Sequence, residues 1–304
     1  MRFLPLTLTL LAACGGSTTT DDGSDTDNNS NSQTAFETFV NVEDPVIGDL
    51  SCYTAGTDWA TMDWNEPTIA PEAHLDSAVT MLVEDFETEE AVPDSTVEIW
   101  LDDIASGTPD DVVTTGSDGL ASFESLPTCS PFAYRVSTDP LLDETKITLA
   151  AHKILPAQAG GSETFTSVSK LTYQLIPTIL GITPLPEYAI IAGTAYDCNK
   201  EPLEGVQVVV YDENGEIPES LRVEYFKERF PSRDQPYTSD DGLWVAINVP
   251  PGALRVEMWA NHENELVLLG ATTLESYADS INLSNAYAGN GDGRYYPADC
   301  LLSD

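Results

Sequence analysis

The chain has 304 residues, with 51 acidic against 12 basic side chains and a formal net charge of −39. A field of that sign repels phosphate and anionic headgroups. It argues against nucleic acid as a partner and against adsorption of the protein body onto an acidic membrane. The length suits two domains of ordinary size.

The N-terminus reads as an export signal. Arg2 precedes a short apolar run, Phe3 to Leu11, which ends in Leu11-Ala12-Ala13-Cys14. A charge, an apolar core and small residues before a cut site predict a signal peptide over residues 1–13. The run is too short to span a bilayer, and no later stretch approaches ~18 apolar residues. Leu-Ala-Ala-Cys resembles the lipobox of bacterial lipoproteins. That resemblance implies cleavage before Cys14 and acyl chains, such as palmitate, on its sulfur and new amino group. Two or more chains hold a protein on a membrane stably where one holds it marginally. With Gly15 rather than Asp next, the resemblance implies export to the outer membrane, on its periplasmic or cell-surface face.

Residues 14–35 are polar after the cysteine and cannot bury enough surface to fold. They read as a lipidated N-terminus and a disordered tether. Asp21, Asp22, Asp25 and Asp27 lack the glycine and closing glutamate of a calcium loop.

Residues 36–160 read as a first β-sandwich. Val79, Met81 and Val83 alternate. Val92-Pro93 turns into Val97, Ile99 and Trp100. Gly116-Ser117-Asp118-Gly119 leads into Leu120 to Phe123, and Leu126-Pro127 into Tyr134, Val136 and Thr138. Ile147 and Leu149 suggest one more strand. Short strands with frequent turns favour a sandwich over a βαβ fold. Residues 161–187 differ: Val168, Leu171, Leu175 and Ile179 fall at helical spacing, with Ile176 and Leu180 beside them. Ser167 is the expected cap, Pro177 a kink or end, and Gly181 the terminator. The apolar side of this helix is expected to pack on a domain or between domains. Thr183-Pro184-Leu185-Pro186 follows as a stiff connector.

Residues 188–304 read as a second sandwich. Ile190 to Asp197 is its first strand, Pro202 to Gly205 a turn, and Val206, Val208 and Val210 a second strand. From Thr238 to Trp259, Leu243, Val245, Ile247 and Val249 alternate up to Pro250-Pro251-Gly252. Leu254, Val256 and Met258 alternate after it. This predicts a half-buried β-hairpin. Leu266 to Ala271 predicts a further strand.

The two regions share an order. A strand ends near an Asp (Asp85, Asp197), and a turn leads to a strand ending in an aromatic (Trp100, Tyr211). An Asp-Gly turn follows (Asp118-Gly119, Asp241-Gly242), then a hydrophobe-Pro turn (Leu126-Pro127, Val249-Pro250). That order resembles the carboxypeptidase regulatory-like, or transthyretin-like, family. The second copy carries Gly193, Asp197, Pro202, Gly205, Gly242, Pro250 and Gly252 in place. The first has Met81 where Gly193 falls and Asp94 for Gly205. The expected fold is mainly β: two tandem immunoglobulin- or transthyretin-like sandwiches with one short connecting helix. The resemblance implies an accessory, structural or binding module rather than an enzyme.

Chemistry is sparse. There is no Gly-x-Ser-x-Gly elbow and no phosphate-binding glycine loop. His262-Glu263 opens like a zinc motif, but Leu266 stands where the second histidine is needed. His74, His152 and His262 are far apart in sequence. Gly289 to Gly293 holds one acidic side chain, too few for a tight Ca²⁺ site without help from elsewhere. No cofactor or metal is expected. If Cys14 is acylated, Cys52, Cys129, Cys198 and Cys300 remain for disulfides in an oxidising compartment. The simplest pairing keeps each bond within one region, Cys52 with Cys129 and Cys198 with Cys300. Two other pairings remain open.

The insertion from Asp212 to Gln235 carries Arg222, Lys227, Arg229 and Arg233 around Tyr225, Phe226 and Phe230. It suits a recognition loop for a protein or an acidic glycan, or an insertion whose aromatics pack on their own sandwich. The expected function is an outer-membrane lipoprotein acting as a non-catalytic binding or structural module. A carbohydrate-binding part of a surface glycan-uptake system would need solvent-exposed aromatics on one face, for which Trp59, Trp64, Trp244 and Trp259 are candidates. An enzyme with an unrecognised site would need His74, His152 or His262 to converge with acids in one cleft.

Overall fold

The computed structural model describes residues 42–55, 68–70, 73, 75–139, 145–158 and 163–302. The lipobox, the tether, Trp59, Trp64 and His74 lie outside them. The first region forms β1 (Asp76–Asp85), β2 (Ser95–Trp100), β3 (Asp111–Thr114), β4 (Leu120–Pro127), β5 (Pro131–Thr138), β6 (Thr145–Lys146), β7 (Thr148–Ile154) and β8 (Thr164–Ser169). Helix α1 (Lys170–Leu180) connects it to the second region. There follow β9 (Ala189–Tyr196), β10 (Val206–Tyr211), β11 (Arg222–Lys227), β12 (Phe230–Ser232), β13 (Leu243–Val249), β14 (Gly252–His262), β15 (Glu265–Ser276), β16 (Ile281–Leu283) and β17 (Ala286–Tyr287).

The fold is two β-sandwiches of the same strand order. In the first, sheet β4-β1-β8-β6 packs on β7-β5-β2-β3. In the second, β13-β9-β16 packs on β10-β14-β15. The last strand of each, β8 or β16, runs parallel to the first strand of its own copy. The copies also share their turn chemistry. Asp85 Oδ1 accepts the N–H groups of Glu87 and Thr88, each at 3.1 Å. Asp197 Oδ1 accepts those of Asn199 and Glu201, each at 2.9 Å. Both are Asx turns that satisfy backbone donors at a strand end. Thr115 Oγ1 accepts the Ser95 N–H and donates to the Val92 carbonyl. Thr238 Oγ1 does the same with Val206 and Leu203.

The stretch expected as a hairpin is an arch. Strand β13 pairs with β9 and β11, whereas β14 pairs with β10 and β15. Pro250-Pro251-Gly252 therefore crosses from one sheet to the other. The reason lies in burial: almost all of β13 is buried, on both faces. Trp244 and Ala246 enter the second core, while Val245 and Ile247 enter a cluster beneath α1.

Strand β16 joins the copies. Ile281, Asn282 and Leu283 pair with Thr148, Leu149 and Ala150 of β7 on one side and with Ile190, Ile191 and Ala192 of β9 on the other. One sheet thus runs β12-β11-β13-β9-β16-β7-β5-β2-β3, with β17 added on β9. Register puts Tyr134, Ala150, Leu283, Ala192 and Val245 on one face. That face meets β8 in the first sandwich and α1 in the second. The opposite face, with Ile191 and Trp244, meets β10-β14-β15. The two outer sheets therefore cover opposite faces of one long sheet.

The helix differs from expectation in start and orientation. Residues Thr164–Ser169 are strand, because they supply the backbone partners for the open edge of β1. Ser169, not Ser167, caps the helix, its Oγ accepting the Thr172 N–H at 3.1 Å. Pro177 lies inside α1, and Gly181 ends it at φ 72. The expected apolar side divides: Leu171 is 71% exposed and Leu175 and Ile179 are exposed too, while Val168, Ile176 and Leu180 pack inward. The side that packs carries Tyr173, Ile176, Pro177 and Leu180.

The chain ends cross over. Residues 42–55, placed with the first sandwich by sequence order, pack on the second. Ile47 bridges Glu204, and Val46, Leu50 and Tyr53 join its core. The C-terminal Tyr296 and Cys300 pack instead with Ala70, Cys129 and Ile154 of the first. The disulfides follow this crossing and not the simplest pairing. Cys52 bonds Cys198, and Cys129 bonds Cys300, across separations of 146 and 171 residues. Loops of that length give each bond about 5 kcal/mol in the chain-entropy model, less for the second to form. Non-reducing peptide mapping is expected to recover these two bonds; a Cys52–Cys129 peptide would refute the crossing.

Gly193 permits the join. A Cβ there would stand 1.8 Å from the Ser284 carbonyl oxygen, next to β16. Gly193→Ala is expected to cost about 1–3 kcal/mol through forced backbone movement, read from the urea midpoint.

Candidate functional site

The shared sheet leaves a cleft of about 410 Å³ where the two sandwiches meet. Its floor is built from Ile190 and Ala192 of β9, Ile281 and Leu283 of β16, Ala150 of β7 and Val245 of β13. Ala150, Leu283 and Ala192 stand side by side in register. The two alanines leave room on either side of the leucine. Tyr173, Ile176 and Pro177 of α1 form the roof with Thr164, Thr166 and Val168 of β8. Tyr134 closes the first-sandwich side. Burial pushes its phenol up to about 12, and its hydroxyl accepts the Thr166 N–H at 3.1 Å. Trp244 also contributes to the lining, and its indole N–H is buried without a hydrogen-bond partner.

The mouth is polar and carries two lysines. His152 adopts φ 56, and the β5–β7 register shifts beside it. Such a bulge turns the strand by one residue. Lys153 thus pairs opposite Phe132, on the face of Tyr134 and Ala150, and joins the cleft. Its Nζ lies 3.1 Å from Glu163 Oε2. Lys200, at φ 64 in the Asp197 turn, holds its Nζ 4.9 Å from the centre of the Tyr295 ring. Tyr196, Tyr287 and Tyr295 stack in a row, with ring centres 5.2 Å apart at each step. Lys200 as a whole is exposed. Partial desolvation, then repulsion from the Lys153 ammonium, hold its pKa below the usual lysine value, while Glu163 acts the other way.

Behind the mouth, His152 brings its Nε2 to 2.5 Å from the Thr273 carbonyl. Its Nδ1 faces Asp103 Oδ2 at 3.7 Å, and Arg294 Nε donates to the same carboxylate at 2.8 Å. Asp103 lies in the loop after β2 and Arg294 near the C-terminus, so this cluster clasps the two sandwiches. Burial alone would raise the Asp103 pKa. Hydrogen bonds and charge from His152 and Arg294 outweigh it and hold the carboxyl below its usual range.

The residues singled out in the sequence divide. Cys14 lies outside the described residues. Cys52, Cys129, Cys198 and Cys300 form the two disulfides. Within the insertion, Tyr225 and Phe226 are buried: Tyr225 accepts the Val208 N–H at 2.8 Å, and Phe226 lines the cleft. Arg222, Lys227, Arg229, Phe230 and Arg233 are exposed, Phe230 by 72%. Arg233 Nε donates to the Ile179 carbonyl, which ties the insertion to α1. The Gly289–Gly293 stretch is a turn closed by Asn290, whose Oδ1 accepts the N–H groups of Asp292 and Gly293. Among the described residues, no group of three His, Cys, Asp or Glu is placed to hold a metal ion. His262 packs edge-on against Tyr53, away from His152 and its Thr273 partner. No helix among the described residues is long and apolar enough to cross a membrane. Lys153 and Lys200 escaped the sequence reading because neither belongs to a motif.

No family model matches the chain, and no curated protein matches it. Three solved structures that align are the TIE protein of Bacillus anthracis, the shaft pilin SpaA of Lactobacillus rhamnosus GG and BcpA, the major pilin subunit of Bacillus cereus. Their identities are 14%, 11% and 9%, each over 70% of this chain. The alignments cover 34%, 98% and 99% of those chains, so this chain spans about a third of the first. The TM-score is 0.23 in each case, too low to bear on function.

The Asp103 cluster gives a pH dependence. A carboxyl whose folded pKa is depressed stabilises fully above its unfolded pKa of about 4 and loses that contribution as pH falls through the folded value. Acid unfolding of the wild type is expected to steepen below about pH 4. Asp103→Asn should flatten that limb in a pH series of thermal melts; an unchanged limb would show that the clasp does not titrate.

Proposed function

We propose that this protein is an outer-membrane lipoprotein whose folded part acts by binding, without catalysis, and that the cleft is where it binds. One observation carries the reading: the cleft spans both sandwiches, and the sheet they share forms its floor. A pocket preformed in this way binds without an ordering cost. The histidine in its lining, His152, already engages the Thr273 carbonyl and, among the described residues, has no nucleophile in hydrogen-bond contact. The Leu11 to Cys14 lipobox supports the anchor, and the two disulfides suit an oxidising compartment outside the cytoplasm. Gly193 and Gly242 support reading the second sandwich as a carboxypeptidase regulatory-like domain. The first is required by the close approach of Ser284, the second by φ 63 beside the Ala195 carbonyl.

A carbohydrate-binding role draws less support from the tryptophans, since Trp244 is 1% exposed and the Trp259 indole N–H donates to Glu257.

Cells fed labelled palmitate are expected to incorporate it into the wild type and not into Cys14→Ser; an unlabelled wild type would overturn the anchor. Native mass spectrometry of the chain purified from its own envelope should show a stoichiometric small-molecule adduct. Ala192→Trp, which fills the cleft floor, should remove that adduct. An adduct that survives the substitution would overturn the binding site.

A further inference from the structure

The cleft has an apolar floor, a roof that mixes apolar side chains with Thr164, Thr166 and Tyr173, and a mouth whose charge opposes that of the molecule. Ile176, Ile190, Ala192, Val245, Ile281 and Leu283 offer no side-chain hydrogen-bonding group. At the mouth stand two ammonium groups, Lys153 and Lys200, with one carboxylate, Glu163. The local balance is one net positive charge on a protein of net charge −39. Two like charges near each other at a partly desolvated site repel, and an anion placed between them removes that repulsion. The molecule as a whole repels anions; these lysines, like the exposed Arg222, Lys227, Arg229 and Arg233 of the insertion, are local exceptions, and Lys153 and Lys200 are the ones that line the cleft.

We propose that the cleft binds a small amphiphile with an anionic head, its apolar body along Ile176, Ile190, Ala192 and Leu283 and its head at Lys153 and Lys200. The inference rests on reading the cleft as a binding site and adds the ligand class. A volume of about 410 Å³ falls in the usual range for small-molecule sites, well short of one for a protein segment. The floor offers a peptide strand no backbone edge, because β9, β16 and β7 are each paired on both sides; in the roof, β8 pairs β1 on one side and β6 only at Val168 and Ser169 on the other, and its Thr166 N–H is taken by the Tyr134 hydroxyl. A neutral sugar would need polar walls and open ring faces. The floor is apolar, and the tyrosines at the mouth stack on one another.

The test is calorimetric titration of the full chain carrying Cys14→Ser, which leaves it unacylated and free of detergent. The probe is sodium dodecanoate below its micelle concentration, against dodecyltrimethylammonium as the charge-reversed control and maltohexaose as the neutral sugar. The expected result is one dodecanoate per chain, bound at least about tenfold more tightly than the cation. Lys200→Gln should weaken it by about tenfold, the effect of one lost charge-assisted contact. Ala192→Trp should abolish it with the thermal midpoint retained, and Ala150→Leu serves if that variant does not fold. Equal binding of the cation, preference for the sugar, indifference to both cleft substitutions, or no dodecanoate binding would each overturn the ligand class. If the cleft-dependent adduct from the native envelope persists while dodecanoate fails, the binding site stands and only the ligand class falls.

Discussion

Three residues, Ile281, Asn282 and Leu283, hold the architecture together. They complete the second sandwich by pairing with β9, and they pair equally with β7 of the first. Once β16 bonds on both sides, the two copies cannot tilt independently, because tilting would break a continuous ladder. Asn282 is buried at the seam, and its amide donates to the Ile190 carbonyl and to Ser280. A connector of proline and leucine alone would have left the angle between the copies to packing. Here the backbone hydrogen bonds set it.

The join has a consequence for the outer face of β13-β9-β16. In an isolated sandwich that face would meet water, yet it carries Ile190, Val245, Ile247 and Ile281. Helix α1 covers much of it, and the first sandwich shields the side next to β7. Neither cover reaches over the two small residues, Ala150 and Ala192, and the gap above them is the cleft. The helix is apolar on two sides for the same reason. Its Ile176 and Leu180 side is required by the sheet, while the Leu171, Leu175 and Ile179 stripe stays in solvent.

Much of each copy was legible locally. The Asp85 and Asp197 turns, the strands on either side and the Gly181 helix end depend on neighbours within a few residues, and their signals are strong. What depended on distant partners was not legible. Periodicity marked Leu171, Leu175 and Ile179 as one face but could not say which face the sheet would take. Alternation found β13 and β14 but could not distinguish a hairpin from an arch, since both need the same Pro-Gly turn. Cysteine spacing favoured pairing by region, and the crossing of the chain ends reversed it. In space the rule held: Cys52 does lie against the second sandwich and Cys300 against the first. Strand β16 is three residues long, too short to carry a period. The cleft followed it out of sight, because its floor comes from three strands that are far apart in the chain.

The repeat also explains why chemistry gathers where it does. Within each copy the Asp, Thr and Gly positions serve turns and ladders, which leaves little side-chain chemistry free. The cleft draws instead on features that break the repeat. One is the bulge at His152, which swings Lys153 to the cleft face. Another is α1, which follows β8 and has no counterpart after β16. The third is a change of charge in an otherwise shared turn. The Asp85 turn carries Glu89 in the left-handed region, at φ 56, and the Asp197 turn carries Lys200 there, at φ 64. Neither turn needs a charge of either sign for its own hydrogen bonds, which Asp85 and Asp197 supply. Both turns reach the cleft, the Asp85 turn with Phe86 and the Asp197 turn with Lys200. Turn geometry accounts for the backbone at Lys200 and places no demand on its charge.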